Sequence, residues 1–284
     1  MTHLPILKTY KLYIGGKFPR SESGRVYEVT TSKGAFLANA AKASRKDARD
    51  AVVAARAAFP GWSGATGYNR GQVLYRIAEL LEGRRAQFVG ELRSTDGTSA
   101  SAAEKQVDAA IDTWVWYAGW ADKYLQVAGN GNPVSGPYFN ISTPEPTGVV
   151  AVIAPAKAGL LGLVSVIAPV ILSGNTVVVV ASESSPLAAI SLSEVLATSD
   201  VPGGVVNILT GSAAEIAPWL ARHADVNALD LAGAEHLEWV DLQIAAADTL
   251  KRVSPPEPGI PAQSVERITF FTETKTVWHT KALI

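Results

Sequence analysis

Apolar positions change their period partway along the chain, and the change divides it into regions of different structure. Behind Ser44 and Asp47, spaced as a capping box, Ala48, Val52, Ala55 and Phe59 fall on one helix face, and Pro60-Gly61 is expected to stop that helix. Val73, Leu74, Ile77, Leu80 and Leu81 mark a second amphipathic helix, and a longer one is expected over residues 99–125 with Val107, Ile111, Trp114 and Ala118 on its buried side. From Val149 onward short apolar runs alternate with helical segments. Strands are expected at residues 149–154, 176–180, 205–209 and 228–231, with helices at 160–172, 187–197 and 213–222 between them. Such alternation predicts a parallel sheet covered on both faces by right-handed crossovers, a Rossmann-like α/β architecture, although G-x-G-x-x-G is nowhere present.

The flanks follow other rules. "LYIGGKF" has β-formers around Gly15-Gly16, the pattern of a tight hairpin. Residues 235–253 carry Leu237, Val240, Ile244 and Ala247 at helical spacing, and the proline-rich 254–261 then breaks the pattern. The β-branched and aromatic run 264–279 predicts an extended strand, and the β-rich stretch 136–146 is its expected mate, because a bare edge of that composition would aggregate.

Composition narrows the function. A chain of 284 residues that is 48% hydrophobic can bury a sizeable core, and its net charge of -1 is spread among interspersed acids and bases, which argues against a nucleic-acid partner. The absence of cysteine excludes disulfides, thiolate metal sites and cysteine nucleophiles in this chain. Residues 148–186 are apolar but interrupted by Pro155, Lys157 and Pro169, so a buried strand and helix explain them better than a membrane span. With no signal-peptide pattern at the N-terminus, a cytoplasmic location is expected. Trp114, Trp116 and Trp120 lie at helical spacing and read as packing residues rather than a ligand cage.

The turns after the first two parallel strands, "PAKAG" and "ASESS", occupy the usual ligand position of an α/β sheet, yet offer only Lys157, Glu183 and hydroxyls. Lys157 as a Schiff-base nucleophile needs burial to lower its pKa, and a loop lysine is ordinarily a solvated charge. His3 and His279 lie near the termini, and His223 with His236 lacks metal-ligand spacing, so no metal is expected.

Taken together, these segments resemble the aldehyde dehydrogenase superfamily, the NAD(P)-dependent oxidoreductases of aldehydes. "LYIGGKF", "ARDAVVAARAAFPGWS", "RGQVLYRIAELLE" and "AAIDTWVWYAGWADK" are similar to its N-terminal helical part. "PTGVVAVIAP", "SGNTVVVVASESSPLAA" and "VPGGVVNILTG" are similar to its cofactor domain, and "FFTETKTVWH" to its C-terminal oligomerisation strand. The resemblance implies a catalytic cysteine, a glutamate that activates water and an asparagine that holds the oxyanion; this chain has no cysteine, and Pro155-Ala156-Lys157 stands where the family has Pro-Trp-Asn. It also implies a ribose clamp of lysine and glutamate, here Val180 and Glu183. Gly233-Ala234 corresponds to the Gly-Ser loop that receives the pyrophosphate at a helix N-terminus, with Glu238 at the later glycine, where its charge opposes an anion.

The domain division that follows is a cofactor-type domain at 1–135 and 147–253, an oligomerisation arm at 136–146 and 264–284, and a linker at 254–263 in place of the family's catalytic domain. Three functions are compatible with these residues. The favoured one is a catalytically inactive subunit, a homo-oligomer or a partner of a full-length aldehyde dehydrogenase, with no cofactor or at most weak NAD(P) binding through Glu183 and Gly233. The alternatives are a residual nucleotide sensor and an enzyme of unfamiliar chemistry.

Overall fold

The computed structural model describes residues 6–157 and 159–281. The hairpin at Gly15-Gly16 forms as expected: both glycines have positive φ, 60° and 77°, and Ile14 and Lys17 exchange backbone hydrogen bonds of 3.0 Å. A two-stranded sheet follows, β1 (Val26–Thr30) and β2 (Phe36–Ala41). Four helices come next: α1 (Arg45–Ser63), α2 (Gly67–Gly83), α3 (Arg85–Asp96) and α4 (Ala100–Trp120), then the short α5 (Tyr124–Ala128). The Ser44 hydroxyl accepts from the backbone of Lys46 and Asp47, and the Asp47 carboxylate accepts from the Ser44 N–H at 2.8 Å, which completes the capping box. Pro60 does not stop α1, contrary to expectation. The ring removes one donor, but later bonds still close, including Gly64 N–H to the Pro60 carbonyl at 3.1 Å, and the helix reaches Ser63. Of the tryptophans on α4, Trp114 is fully buried, and Trp116 and Trp120 pack partly buried against the same core.

After β3 (Asn130–Asn132) and β4 (Tyr138–Pro146), the alternating region gives β5 (Val149–Ile153), α6 (Gly159–Leu172), β6 (Thr176–Val180), α7 (Pro186–Leu196), β7 (Val206–Leu209), α8 (Ala213–Arg222) and β8 (Ala228–Asp230). Then come α9 (Trp239–Ala247), β9 (Arg252–Ser254), α10 (Val265–Thr269) and β10 (Thr272–Thr280). The main sheet has five strands in the order β7-β6-β5-β8-β9, all parallel. Alternation sorts its side chains: Val150, Val152, Val177 and Val179 join the core with α2, α4 and α6, while Val149, Ala151, Ile153, Val178 and Val180 join the core with α1, α8 and α9. Burial on both faces explains the uniform valine runs.

The C-terminal third departs from the periodicity. The helix expected over 235–253 covers only Trp239–Ala247, and Leu250 turns the chain with φ 53° so that Arg252–Ser254 joins β8 as a fifth strand. Its buried face is also different: Leu242, Ala245 and Ala246 pack inward, whereas Val240 and Ile244 are exposed. The face turned toward α8 is the one that carries Ala245 and Ala246, a preference that mean apolarity does not reveal. Residues 264–269 are not extended. Ser264 caps α10 by accepting from the Arg267 N–H at 3.1 Å, and Ile268 and Phe271 behind it are fully buried. Only β10 is a strand; it runs antiparallel to β4 from Thr272↔Pro146 to Thr280↔Tyr138, with β3 on the far edge of β4.

Candidate functional site

β5 feeds β6 on one side and, after two more crossovers, β8 settles on its other side, so the strand order reverses between β5 and β8. Ligands of open α/β sheets bind beyond the carboxyl ends of the strands at such a point. Here a cavity of about 340 Å³ opens between the loop after β5, which supplies Pro155, Ala156 and Lys157, and the loop after β8, which supplies Gly233, Glu235 and His236; Gly259 closes a further side.

The floor of this cavity is a backbone contact. The Gly233 N–H donates to the Ile153 carbonyl at 2.9 Å, and a Cβ on Gly233 would sit 2.0 Å from the Ala154 carbonyl oxygen, so only glycine lets the two strand ends meet. The rest of the β8 loop is equally committed. Ala232 N–H donates to Asp230 Oδ1 at 3.1 Å and Ala234 N–H to the Leu231 carbonyl at 2.8 Å. The pyrophosphate cradle implied for Gly233-Ala234 is therefore absent as a helix N-terminus: α9 begins only at Trp239, and the three successive N–H groups are spent inside the protein.

Glu183 lies elsewhere. It is exposed on the loop between β6 and α7 and does not line the cavity, and Val180, at the end of β6, is buried in the core that the strand shares with α1. Burial, reinforced by the Glu183 carboxylate, pushes the Tyr27 phenol upward. The two loops are nevertheless tied together, since Ser182 Oγ donates to the Ala156 carbonyl at 2.9 Å. The sequence-expected residues thus separate, with Gly233 and Lys157 at the crevice and Glu183 outside it.

Periodicity gave no sign that Glu235 and His236 would face Lys157 across the same space. All three are exposed, and among the described residues none makes a side-chain ion pair or hydrogen bond. Behind the crevice, Arg267 of α10 reaches the fully buried Asp230 at 2.5 Å and Glu257 at 2.8 Å. Burial alone would lower the pKa of the Arg267 guanidinium, but the two paired anions together outweigh it and hold that pKa above its ordinary value. A second, apolar slot of about 280 Å³ lies between α8 and α9, walled by Ala217, Pro218, Leu242 and Ala245, with Arg222, Glu238 and Asp241 around it. A larger hollow, about 710 Å³, is an open groove between α2 and α4, where Arg76 pairs with Glu79 and Lys123 with Asp122. Its charges are mostly neutralised among themselves, so the switch-point crevice is the better candidate.

Residues 18–255 match the model of the aldehyde dehydrogenase family. The chain belongs to the aldehyde dehydrogenase family. Human retinal dehydrogenase 2 is 33% identical over 254 residues, which are 87% of this chain and 48% of that protein. Omega-crystallin of Enteroctopus dofleini is 30% identical over 258 residues, 88% of this chain and 51% of that one. Among solved structures, HpcC from Thermus thermophilus superimposes with a TM-score of 0.81 at 30% identity, covering 87% of this chain and 48% of its own. PnpE, solved in complex with nicotinamide adenine dinucleotide, gives 0.80 at 28% identity, covering 86% and 50%. The chain thus spans about half the length of the relatives it matches. Aldehyde dehydrogenase membership accounts for the sheet order and helices described above.

Proposed function

We propose that this aldehyde dehydrogenase family chain works as a non-catalytic subunit that associates through its β4–β10 arm with a second copy or with a full-length aldehyde dehydrogenase. The observation that carries this reading is the connection between the sheet and the arm. From β9 the chain passes through residues 255–264 straight into α10, and the Asp230–Arg267–Glu257 cluster clamps that passage to the end of β8. The connection between sheet and arm is short, and the chain contains no cysteine to attack an aldehyde.

The arm supports association. Phe139 and Ile141 stand opposite His279 and Val277 on one face, and Tyr138 and Trp278 stack edge to face on the other, with exposed aromatic or aliphatic groups on both sides. β10 is also an edge strand with open hydrogen-bonding groups. Purified chain incubated with NAD or NADP and an aldehyde panel is expected to give no steady reduction of the nucleotide. A steady rate that disappears on substitution of a residue in this chain, such as Glu183, would falsify the reading.

Retention of a nucleotide is a second reading, favoured by the slot between α8 and α9. Its apolar walls and volume of about 280 Å³ suit one planar heterocycle, close to the lower bound of small-molecule sites, about 300 Å³. Calorimetry with NAD tests it; the committed N–H groups at Ala232, Gly233 and Ala234 predict weak binding at best.

A further inference from the structure

We infer that the crevice between the ends of β5 and β8 is a binding site for a small bifunctional acid, a molecule that carries a carboxylate at one end and a hydroxyl or ammonium donor at the other. The inference goes beyond the assembly role and does not depend on it.

Three observations lead there. The cavity lies at the switch point of the sheet, where strand carboxyl ends converge and α/β proteins hold their ligands. The N–H groups of Ala232, Gly233 and Ala234 on its floor are used internally and are closed to an anion, so the charge of a ligand is met by side chains. The side chains that reach it are Lys157, His236 and Glu235, and none is neutralised by a neighbour among the described residues.

The donor and acceptor inventory then sets the ligand class. Lys157 offers only donors and a positive charge, and a carboxylate is its natural partner. His236 can add a donor on the same side or an acceptor, according to its protonation. Glu235 is acceptor-only when ionised, and it repels a dianion such as a diphosphate while accepting from a hydroxyl or ammonium. A volume of about 340 Å³ fits a ligand of few heavy atoms and is too small for a dinucleotide. The rigid floor made by Gly233 against Ala154 and the tie from Ser182 to Ala156 fix the two loops, so little ordering is required on binding.

The test is calorimetric titration of the full chain with glycolate, 3-hydroxybutyrate, glycine and 4-aminobutyrate, alongside acetate, propanol and inorganic phosphate. At least one hydroxy or amino acid is expected to bind more tightly than about 1 mM, and Lys157→Ala and Glu235→Gln are each expected to weaken it about tenfold. Acetate is expected to bind more weakly and to be indifferent to, or improved by, Glu235→Gln. All three side chains are exposed, so the variants should fold, and far-UV circular dichroism checks that they do. The proposal is overturned if no bifunctional acid binds more tightly than about 1 mM, if binding survives Lys157→Ala unchanged, or if phosphate binds best. Dehydrogenase activity and oligomeric state are not read in this experiment, so its failure leaves the assembly reading standing, and the reverse also holds.

Discussion

Arg267 places its guanidinium 2.5 Å from the carboxylate of Asp230, and the pair joins two parts of the chain that periodicity assigns to different units. Asp230 closes β8 and also accepts from the Ala232 N–H that shapes the crevice loop, while Arg267 sits on α10 at the root of the arm. Glu257, between them in sequence, completes the cluster. The arm is therefore fastened to the floor of the candidate site.

Breaking this pair should be costly. Arg267→Met leaves the Asp230 carboxyl without its partner in the interior and is expected to destabilise the chain by about 3–5 kcal/mol in urea unfolding. The double variant Asp230→Leu, Arg267→Met is expected to recover most of that loss. A double variant as unstable as the single one would show that Asp230 matters chiefly through the Ala232 N–H.

Gly233→Ala is expected to cost at least about 3 kcal/mol, since the added methyl meets the Ala154 carbonyl, a backbone atom with no freedom to move aside. Thermal unfolding measures it. A variant of unchanged stability would mean that the strand ends are looser than the 2.9 Å bond from Gly233 to Ile153 implies.

Glu91 gives a pH signature. Burial raises its pKa, partly offset by hydrogen bonds from Ser191 at 2.6 Å and Gln87 at 3.1 Å, and its other carboxylate oxygen is buried without a partner. A carboxyl whose folded pKa is raised binds more protons folded than unfolded, so its ionisation costs stability as pH rises from about 4.3 through the folded value. Glu91→Gln is expected to be more stable than the parent by about 1 kcal/mol at neutral pH, with the difference vanishing below about pH 4. A difference independent of pH, followed by melting temperature, would contradict the assignment.

Assembly should depend on the outer half of the C-terminal segment. Removal of residues from Thr272 onward spares α10 and the buried Phe271, and is expected to give a folded monomer by light scattering, where the proposed function requires the parent chain to be an oligomer. Paired substitutions Ile141→Ser and Trp278→Ser, one on each face of the arm, are expected to act in the same direction. A parent chain that is monomeric at micromolar concentration would remove the arm from the proposal.

The alternating core was legible because local and global demands agree there. The valines of β5 and β6 are apolar on both faces, Gly174 at φ 95° and Asn175 separate α6 from β6, and Ser44 with Asp47 announces α1 by chemistry confined to four neighbouring residues. The same locality misplaced the C-terminal third. A β-branched run predicts a strand from Ser264, but the capping hydroxyl of Ser264, the burial of Ile268 and Phe271, and the charge of Asp230 far upstream make its first turn helical.

The sequence by itself determined the sheet class, the crossovers, the family and the absence of cysteine from this chain, since each rests on residue type or on spacing along the chain. Only the tertiary structure decided that Lys157 shares a crevice with Glu235 and His236 while Glu183 does not, that α9 starts too late to present its N-terminus, and that Gly233 is required by a carbonyl of another strand. These facts depend on which strand ends lie side by side, and β5 meets β8 across a long sequence separation that no local pattern encodes.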